Sequence, residues 1–349
     1  KHMAPTMTRR VARAVRVCLC LLAVSAVPDG YSFLARLASL WRTKAVQQKA
    51  SNTCEGLPGR LLPKEVEGLD ALRKALGKTT SGLEPLADPL TLLRFYRARN
   101  REVDAAAEMY KSTMQWRSSY SISEVMDDFG SAGHFGKDGG RITDPAEWTW
   151  LPHANTREAE LAYRHAFFIR LPRLPHSGEL QPVLIWRAGH ADYKGIVREE
   201  LVDIMIKAFV VHLEDALQAS RAASFKTGEM VRARLIVDCE GLGMDNIRYI
   251  PILKKIITLG KSYYPEVAET VTVIRAPGFC TMFYNLVKPL LPKLLQKKIY
   301  LLSQNFHEGL IQHTGLDPKS LPQFLGGDRT DGDFPEVLPV PENALKFES

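Results

Sequence analysis

The stretch from Val231 to Lys298 limits the fold more than any other part of the chain. Leu235-Ile236-Val237 is an apolar run that stops at Asp238 and gives way to Cys239-Glu240-Gly241-Leu242-Gly243, the pattern of a buried strand ending in a tight turn. Ile252, Leu253, Ile256 and Ile257 then recur at helical spacing until Tyr263-Tyr264-Pro265-Glu266 breaks it. Val271-Thr272-Val273-Ile274 reads as a second strand, closed by Ala276-Pro277-Gly278. A further amphipathic helix carries Phe279, Met282, Phe283, Leu286 and Val287, Pro289 and Pro292 interrupt it, and a basic run leads into Ile299-Tyr300-Leu301-Leu302. Strand, helix, strand, helix, strand predicts an α/β unit with parallel strands.

Upstream of it, Glu65 to Gly77 predicts a short helix and Thr79 to Asp88 a loop. Asp88-Pro89 supplies an N-cap and a proline at the first helical position. Leu90, Leu93 and Tyr96/Arg97 give that second helix one apolar and one basic face. A longer helix then carries Ala106, Met109, Tyr110, Thr113 and Trp116 in register. These predict a helical lobe over 61–130. Residues 119 to 160, with Trp148 and Trp150, read as an irregular connection. Ala166 to Ile169 and Pro182 to Trp186 read as strands joined through Pro172, Pro175 and Gly178. Between them and Val231, Leu201, Ile204, Met205, Ala208, Phe209, Leu213, Ala216 and Leu217 mark a long helix packed on a sheet, with His212 on its flank as a core histidine. The α/β domain thus covers 150–330, and 331–349 is a polar tail.

The net charge of +7 misleads unless it is located. Residues 1–60 hold ten Lys or Arg against Asp29 and Glu55, so everything after them sums to −1. The folded body is nearly neutral, which argues against nucleic acid as its partner. Arg9, Arg10, Arg13 and Arg16 precede the apolar run Val17 to Val27, the layout of a secretory signal, and Tyr31 to Asn52 is basic without an acidic residue, as transit peptides are. A secretory route or an organelle is the expected destination if residues 3–55 act as a leader. Cytoplasm with peripheral membrane attachment is the expectation if they form a membrane-surface segment.

Motifs for catalysis are missing. Gly241-Leu242-Gly243 lacks the third glycine of a dinucleotide loop, there is no Walker loop, no G-x-S-x-G and no H-E-x-x-H, and His307 and His313 lie six apart. Cys18, Cys20, Cys54, Cys239 and Cys280 show no metal spacing, and the last two read as packed thiols. The expectation is a protein that is not an enzyme and uses neither cofactor nor metal.

Asp238 to Gly241, Tyr263-Tyr264-Pro265-Glu266, Ala276-Pro277-Gly278-Phe279, Lys288-Pro289 and Leu321-Pro322-Gln323-Phe324-Leu325-Gly326-Gly327 occur in the order seen in CRAL-TRIO domains. The chain resembles that family's phosphatidylinositol-transfer branch, and Leu92 to Asn100 is similar to its helical N-terminal lobe. The resemblance implies a roughly five-stranded, mostly parallel sheet with flanking helices and a gating helix over an apolar pocket. It also implies a monomer that binds a phospholipid, phosphatidylinositol favoured, and transfers or presents it while touching membrane surfaces transiently. Such a carrier must enclose its cargo: at about 0.8 kcal/mol per methylene, two acyl chains of about sixteen carbons would cost on the order of 25 kcal/mol in water. Phe168, Leu184, Trp186, Ile236 and Ile274 are the expected pocket floor, and Phe279, Met282, Phe283, Leu286 and Val287 the gate. A solid core is the alternative that periodicity leaves open. Carried over from the family, Arg99, Glu266 and Lys298 would hold the head group. The pattern departs at Leu295, where the family has Thr, at Asn100, where it has Lys, and at Ala233 and Leu235, which replace the Ser and Thr of the phosphatidylcholine mode. A carrier of a sterol or tocopherol-like ligand, and a membrane-associated scaffold without transfer, are the other readings.

Overall fold

The computed structural model describes residues 61–77, 86–130, 154–170, 181–291 and 293–329. The leader expected in 1–60, the tail expected in 331–349, and Trp148 and Trp150 lie outside the described residues.

Three helices build the N-terminal lobe: α1 (Pro63–Leu76), α2 (Pro89–Ala98) and α3 (Val103–Ser119). Leu72, Leu90, Leu93, Phe95 and Tyr110 interlock between them. Asp88 caps α2 as its sequence predicts, its Oδ1 accepting from the amides of Leu90 at 2.9 Å and Thr91 at 3.0 Å. The basic face expected on α2 is inside instead. Arg97 pairs at 2.9 Å with Glu65 of α1, a carboxylate closed to solvent, and Arg101 reaches the same group at 3.0 Å. A buried carboxylate needs this pairing to stay charged.

The stretch expected to be irregular, 119–160, contains α4 (Ile122–Asp128) and the start of α5 (Arg157–Ala166). α4 is too short to show a period, yet Ile122, Val125 and Met126 all enter the main core. In α5 the buried face is built largely from Ala159, Ala162 and Ala166 beside His165, which leaves few strongly apolar residues to read; Thr156 caps it.

Five strands form one sheet in chain order: β1 (Phe168–Arg170), β2 (Val183–Trp186), β3 (Ala233–Asp238), β4 (Ala268–Ile274) and β5 (Ile299–Leu301). β1 runs antiparallel to β2, and every later pair is parallel. Each parallel strand is laid beside the one before it, so the crossovers all step the same way. Right-handed connection then puts their helices on one face. These are α6 (Tyr193–Arg198), α7 (Val202–Thr227), α8 (Ile250–Tyr263), α9 (Phe279–Val287) and α10 (Lys293–Gln296). The other face is sealed by α11 (His307–Thr314) and the segment after it, through Ile169, Ile185, Ile236, Ile274, Leu310 and Leu325.

The lobe is held to this body by α3. Trp116 stacks on Tyr263 with centroids 4.1 Å apart, and Arg117 pairs with Glu214 of α7, which also accepts from the Tyr264 hydroxyl at 2.8 Å. Among the described residues no helix is long and apolar enough to cross a membrane.

His212 of α7 lies buried beside Phe168, with ring centroids 5.2 Å apart. Burial, with Arg170 nearby, pushes its pKa down to about 3. Between that value and the unfolded one the unfolded chain binds the extra proton, so stability rises with pH there and falls as pH drops below about 6.5. Thermal unfolding at pH 7 and pH 5 should show a loss of up to about 2 kcal/mol from this group. In His212→Phe the same pH step should cost correspondingly less; an identical pH profile in the variant would count against the assignment.

Candidate functional site: an apolar cavity and a neighbouring charged cluster

Strand alternation decides which side chains meet the helices. Leu235 and Val237 of β3 and Val271 and Val273 of β4 point toward the crossover face, where they floor a cavity of about 320 Å³. Ile252, Leu253 and Ile256 of α8 form one wall, and Cys280, Phe283, Tyr284 and Val287 of α9 the cover. The space is hollow where a solid core was the alternative. Trp186 lines it as expected. Ile236 and Ile274 do not: they sit one residue out of phase and pack on the α11 side. Phe168 and Leu184 face the right way but are covered by α7, Phe168 lying 5.7 Å from Phe209.

α9 is apolar on two sides. Phe283 and Val287 turn inward, with Phe279 edge-on to Phe283 at 5.3 Å, whereas Met282 and Leu286 are exposed to 54% and 51%. A helix that offers apolar groups both to a cavity and to solvent is suited to contact a second apolar phase. Its N-terminal approach is fixed by Arg275, whose φ of 49° is a left-handed value uncommon outside glycine. Arg275 donates through Nε to Asp238 Oδ1 at 2.9 Å, through Nη2 to Oδ2 at 2.5 Å, and through Nη1 to the Phe324 carbonyl at 3.0 Å. Burial works against its charge, but the bond to Asp238 and that carboxylate's field outweigh it and hold the pKa above its ordinary value. Leu321 to Gly327 exists to deliver the Phe324 carbonyl: Gly326 has φ 76°, and a Cβ on Gly327 would come within 2.0 Å of the Leu321 carbonyl oxygen.

His190, Asp238 and Glu240 present ligand atoms within 4.8 Å of one another. Two guanidiniums already serve them, Arg275 as above and Arg187 at 3.5 Å from Asp238 and 3.7 Å from Glu240, with Arg187 Nη2 also 2.7 Å from His190 Nε2. The cluster is an arginine clamp whose two guanidiniums already neutralise its two carboxylates.

A charged cluster lies where β4 and β5 begin, next in the chain to the lining residues Val267 and Ile299. Glu266, at φ 54°, places its carboxylate 2.8 Å from Arg232 and 4.0 Å from Lys298. Burial pushes the Glu266 pKa up, but Arg232 foremost, then Lys298 and Arg94, bring it below its usual value. Arg232 also meets Glu269 at 3.2 Å. Arg94 of α2 is fully enclosed and donates to the backbone carbonyls of Glu266 and, at 2.8 Å, Val231; burial first, and Arg232 next, lower its pKa to about 9. Leu295 lines the cavity one turn before Lys298, whose amide donates to the Leu295 carbonyl at 2.9 Å.

The structure therefore brings Glu266 and Lys298 together and adds Arg232 and Arg94. Arg99 stands at the C-cap of α2, and among the described residues its side chain makes no hydrogen bond or ion pair. Arg94 had a signal in the sequence: it occupies an apolar-face position between Leu90, Leu93 and Arg97, where a charge requires a partner. Arg232, just before a strand, had none.

Comparison with known proteins bears on the fold. Residues 178–327 match the family model for the CRAL/TRIO domain. The chain is 26% identical over 278 residues to the Sec14 cytosolic factor of Schizosaccharomyces pombe, covering 78% of this chain and 85% of that protein. It is 25% identical over 282 residues to the CRAL-TRIO domain-containing protein YKL091C of Saccharomyces cerevisiae, covering 79% and 82% respectively. The crystal structure of Sfh5 has the same fold, with a TM-score of 0.51 at 13% identity over 73% of this chain and 88% of that one. On the match over 178–327, the sheet order and these relatives, the chain carries a region that matches the CRAL/TRIO domain and is similar over most of its length to Sec14-like proteins.

Proposed function

We propose that this chain binds a phospholipid, phosphatidylinositol by preference, and transfers it between membranes or presents it, as a monomer and without catalysing a reaction on it. The observation that carries this reading is an apolar cavity whose lining residues Val267 and Ile299 are the chain neighbours of the paired Glu266 and Lys298. The floor from Leu235 to Val273 shelters acyl chains, while Lys298 and Arg232 offer donors for a phosphate and Glu266 an acceptor for ring hydroxyls. Lys298 is the freest of these, 27% exposed and at the limit of its contact with Glu266. In this reading α9 is the gate, and Met282 and Leu286 are the groups that enter the bilayer when it opens.

Lipids that co-purify with the protein, identified by mass spectrometry, give the direct test. The site itself is tested by loading phosphatidylinositol, phosphatidylcholine and cholesterol into the wild type, Lys298→Ala and Leu295→Thr. A charge-assisted hydrogen bond is worth about 1.5–3 kcal/mol, so Lys298→Ala should weaken phosphatidylinositol loading about ten- to a hundredfold and leave cholesterol loading unchanged. Leu295→Thr should strengthen it. Undiminished phosphatidylinositol loading in Lys298→Ala would favour an uncharged cargo of sterol or tocopherol type, to which the apolar Leu295 is suited.

A further inference from the structure

Read along the sequence, Cys239 and Cys280 are unrelated thiols forty-one positions apart. The fold makes them neighbours. Cys239 follows β3 directly, its amide bonded to the Ile274 carbonyl at 3.0 Å, and Cys280 is the second residue of α9, its amide bonded to the Pro277 carbonyl at 2.8 Å. Both are reduced and buried, and both line the cavity, one in the sheet and the other in the helix that covers it. Each thiol is the foremost influence on the ionisation of the other, as neighbouring sulfurs are.

We infer that Cys239 and Cys280 are a redox pair, converted by hydroperoxides to a disulfide that ties α9 to the sheet and holds the cavity shut. The effect on opening rests on the gate reading above; the bond itself does not. Position in the fold assigns the roles. Cys280 sits in the first turn of a helix, where a thiolate is favoured, and its pKa is lowered. Cys239 follows the end of a strand, and the neighbouring Cys280 and then burial raise its pKa. Cys280 is the attacking sulfur. Its thiolate takes the distal oxygen of a hydroperoxide, the O–O bond breaks, and the other oxygen leaves as water or an alcohol after gaining a proton. The Cys280 sulfenic acid that results is then attacked by Cys239: an S–S bond forms, the S–O bond breaks, and water leaves. Two electrons pass from the two thiols to the peroxide, and a dithiol reductant returns the pair by exchange. The hydroperoxide can reach the pair from water or on an acyl chain held in the cavity, and the apolar lining admits the second.

The test uses the full chain, reduced and freed of reductant, and exposed either to hydrogen peroxide or to phosphatidylcholine vesicles carrying a phospholipid hydroperoxide. Peptide mapping should find Cys239 linked to Cys280 in at least one arm, the arm identifying the source. Transfer of a fluorescent phospholipid between vesicles should then fall at least about tenfold, as expected when a lid sets the rate, and recover with dithiothreitol. Cys280→Ser, whatever its own rate, should transfer equally before and after peroxide. No Cys239–Cys280 linkage in either arm, or oxidation that stops at Cys280 sulfinic acid, would overturn the pair. A linkage that leaves transfer unchanged would overturn α9 as the gate and leave the redox pair standing.

Discussion

Asp238→Ala is expected to lower the free energy of unfolding by about 3–5 kcal/mol, the usual cost of stranding buried charges by removing their partner. Asp238 is closed to solvent, accepts from both Nε and Nη2 of Arg275 and from the Glu240 amide at 3.0 Å, and pairs with Arg187 at 3.5 Å. Arg187 is 5% exposed and Arg275 12%, so neither guanidinium regains water when the carboxylate goes. Glu240 is the informative control. It approaches the same two arginines but is half exposed, so Glu240→Ala should cost no more than about 1 kcal/mol. Urea denaturation followed by tryptophan fluorescence compares the two. Equal midpoints for both variants would mean that Glu240 can replace Asp238 and that the clamp is not centred where the bonds place it.

Val271→Trp is expected to reduce lipid loading by about two orders of magnitude while leaving the fold intact. Val271 lies on the cavity floor between β3 and β5, paired with Leu235 and Ile299. An indole there takes up space that about four methylenes of an acyl chain would fill; at about 0.8 kcal/mol each, that forfeits roughly 3 kcal/mol of binding. Because the added atoms occupy a void and displace no neighbour, the overpacking penalty of a filled core does not apply. Co-purified lipid per mole of protein and the denaturation midpoint separate the two effects. Wild-type loading in a folded Val271→Trp protein would mean that the lipid lies elsewhere.

The architecture was legible because its signals are local. Apolar runs of strand length, the Asp88-Pro89 start and the three-and-four repeat of the long helix each depend on residues within one or two turns. The two missed helices, α4 and α5, are those whose buried faces are short or built largely from alanine. At the site the limit is different in kind. Ile236 and Leu235 are equally apolar neighbours, and which of them sees the cavity is set by strand phase against a helix layer formed elsewhere in the chain. Glu266 and Lys298 entered through a resemblance that carries position; Arg94 and Arg232 join them only because α2 and the approach to β3 fold onto the same corner. The two cysteines are the plainest case, since no spacing rule links a strand end to a helix start across an intervening strand.

A sheet that is solid on one side and hollow on the other also sorts mutations by parity. Along β3 and β4, Arg234, Ile236, Asp238, Thr272 and Ile274 belong to the sealed side or its clamp, and Leu235, Val237, Val271 and Val273 to the hollow. In a saturating screen, consecutive codons should therefore fall into two classes. Damage at one class depletes the protein from the cell, as variants that lose cooperative folding do. Damage at the next spares abundance and removes only cargo. Natural variation is then free to retune the ligand one residue in two, which lets related chains diverge in what they carry while their folding stays the same.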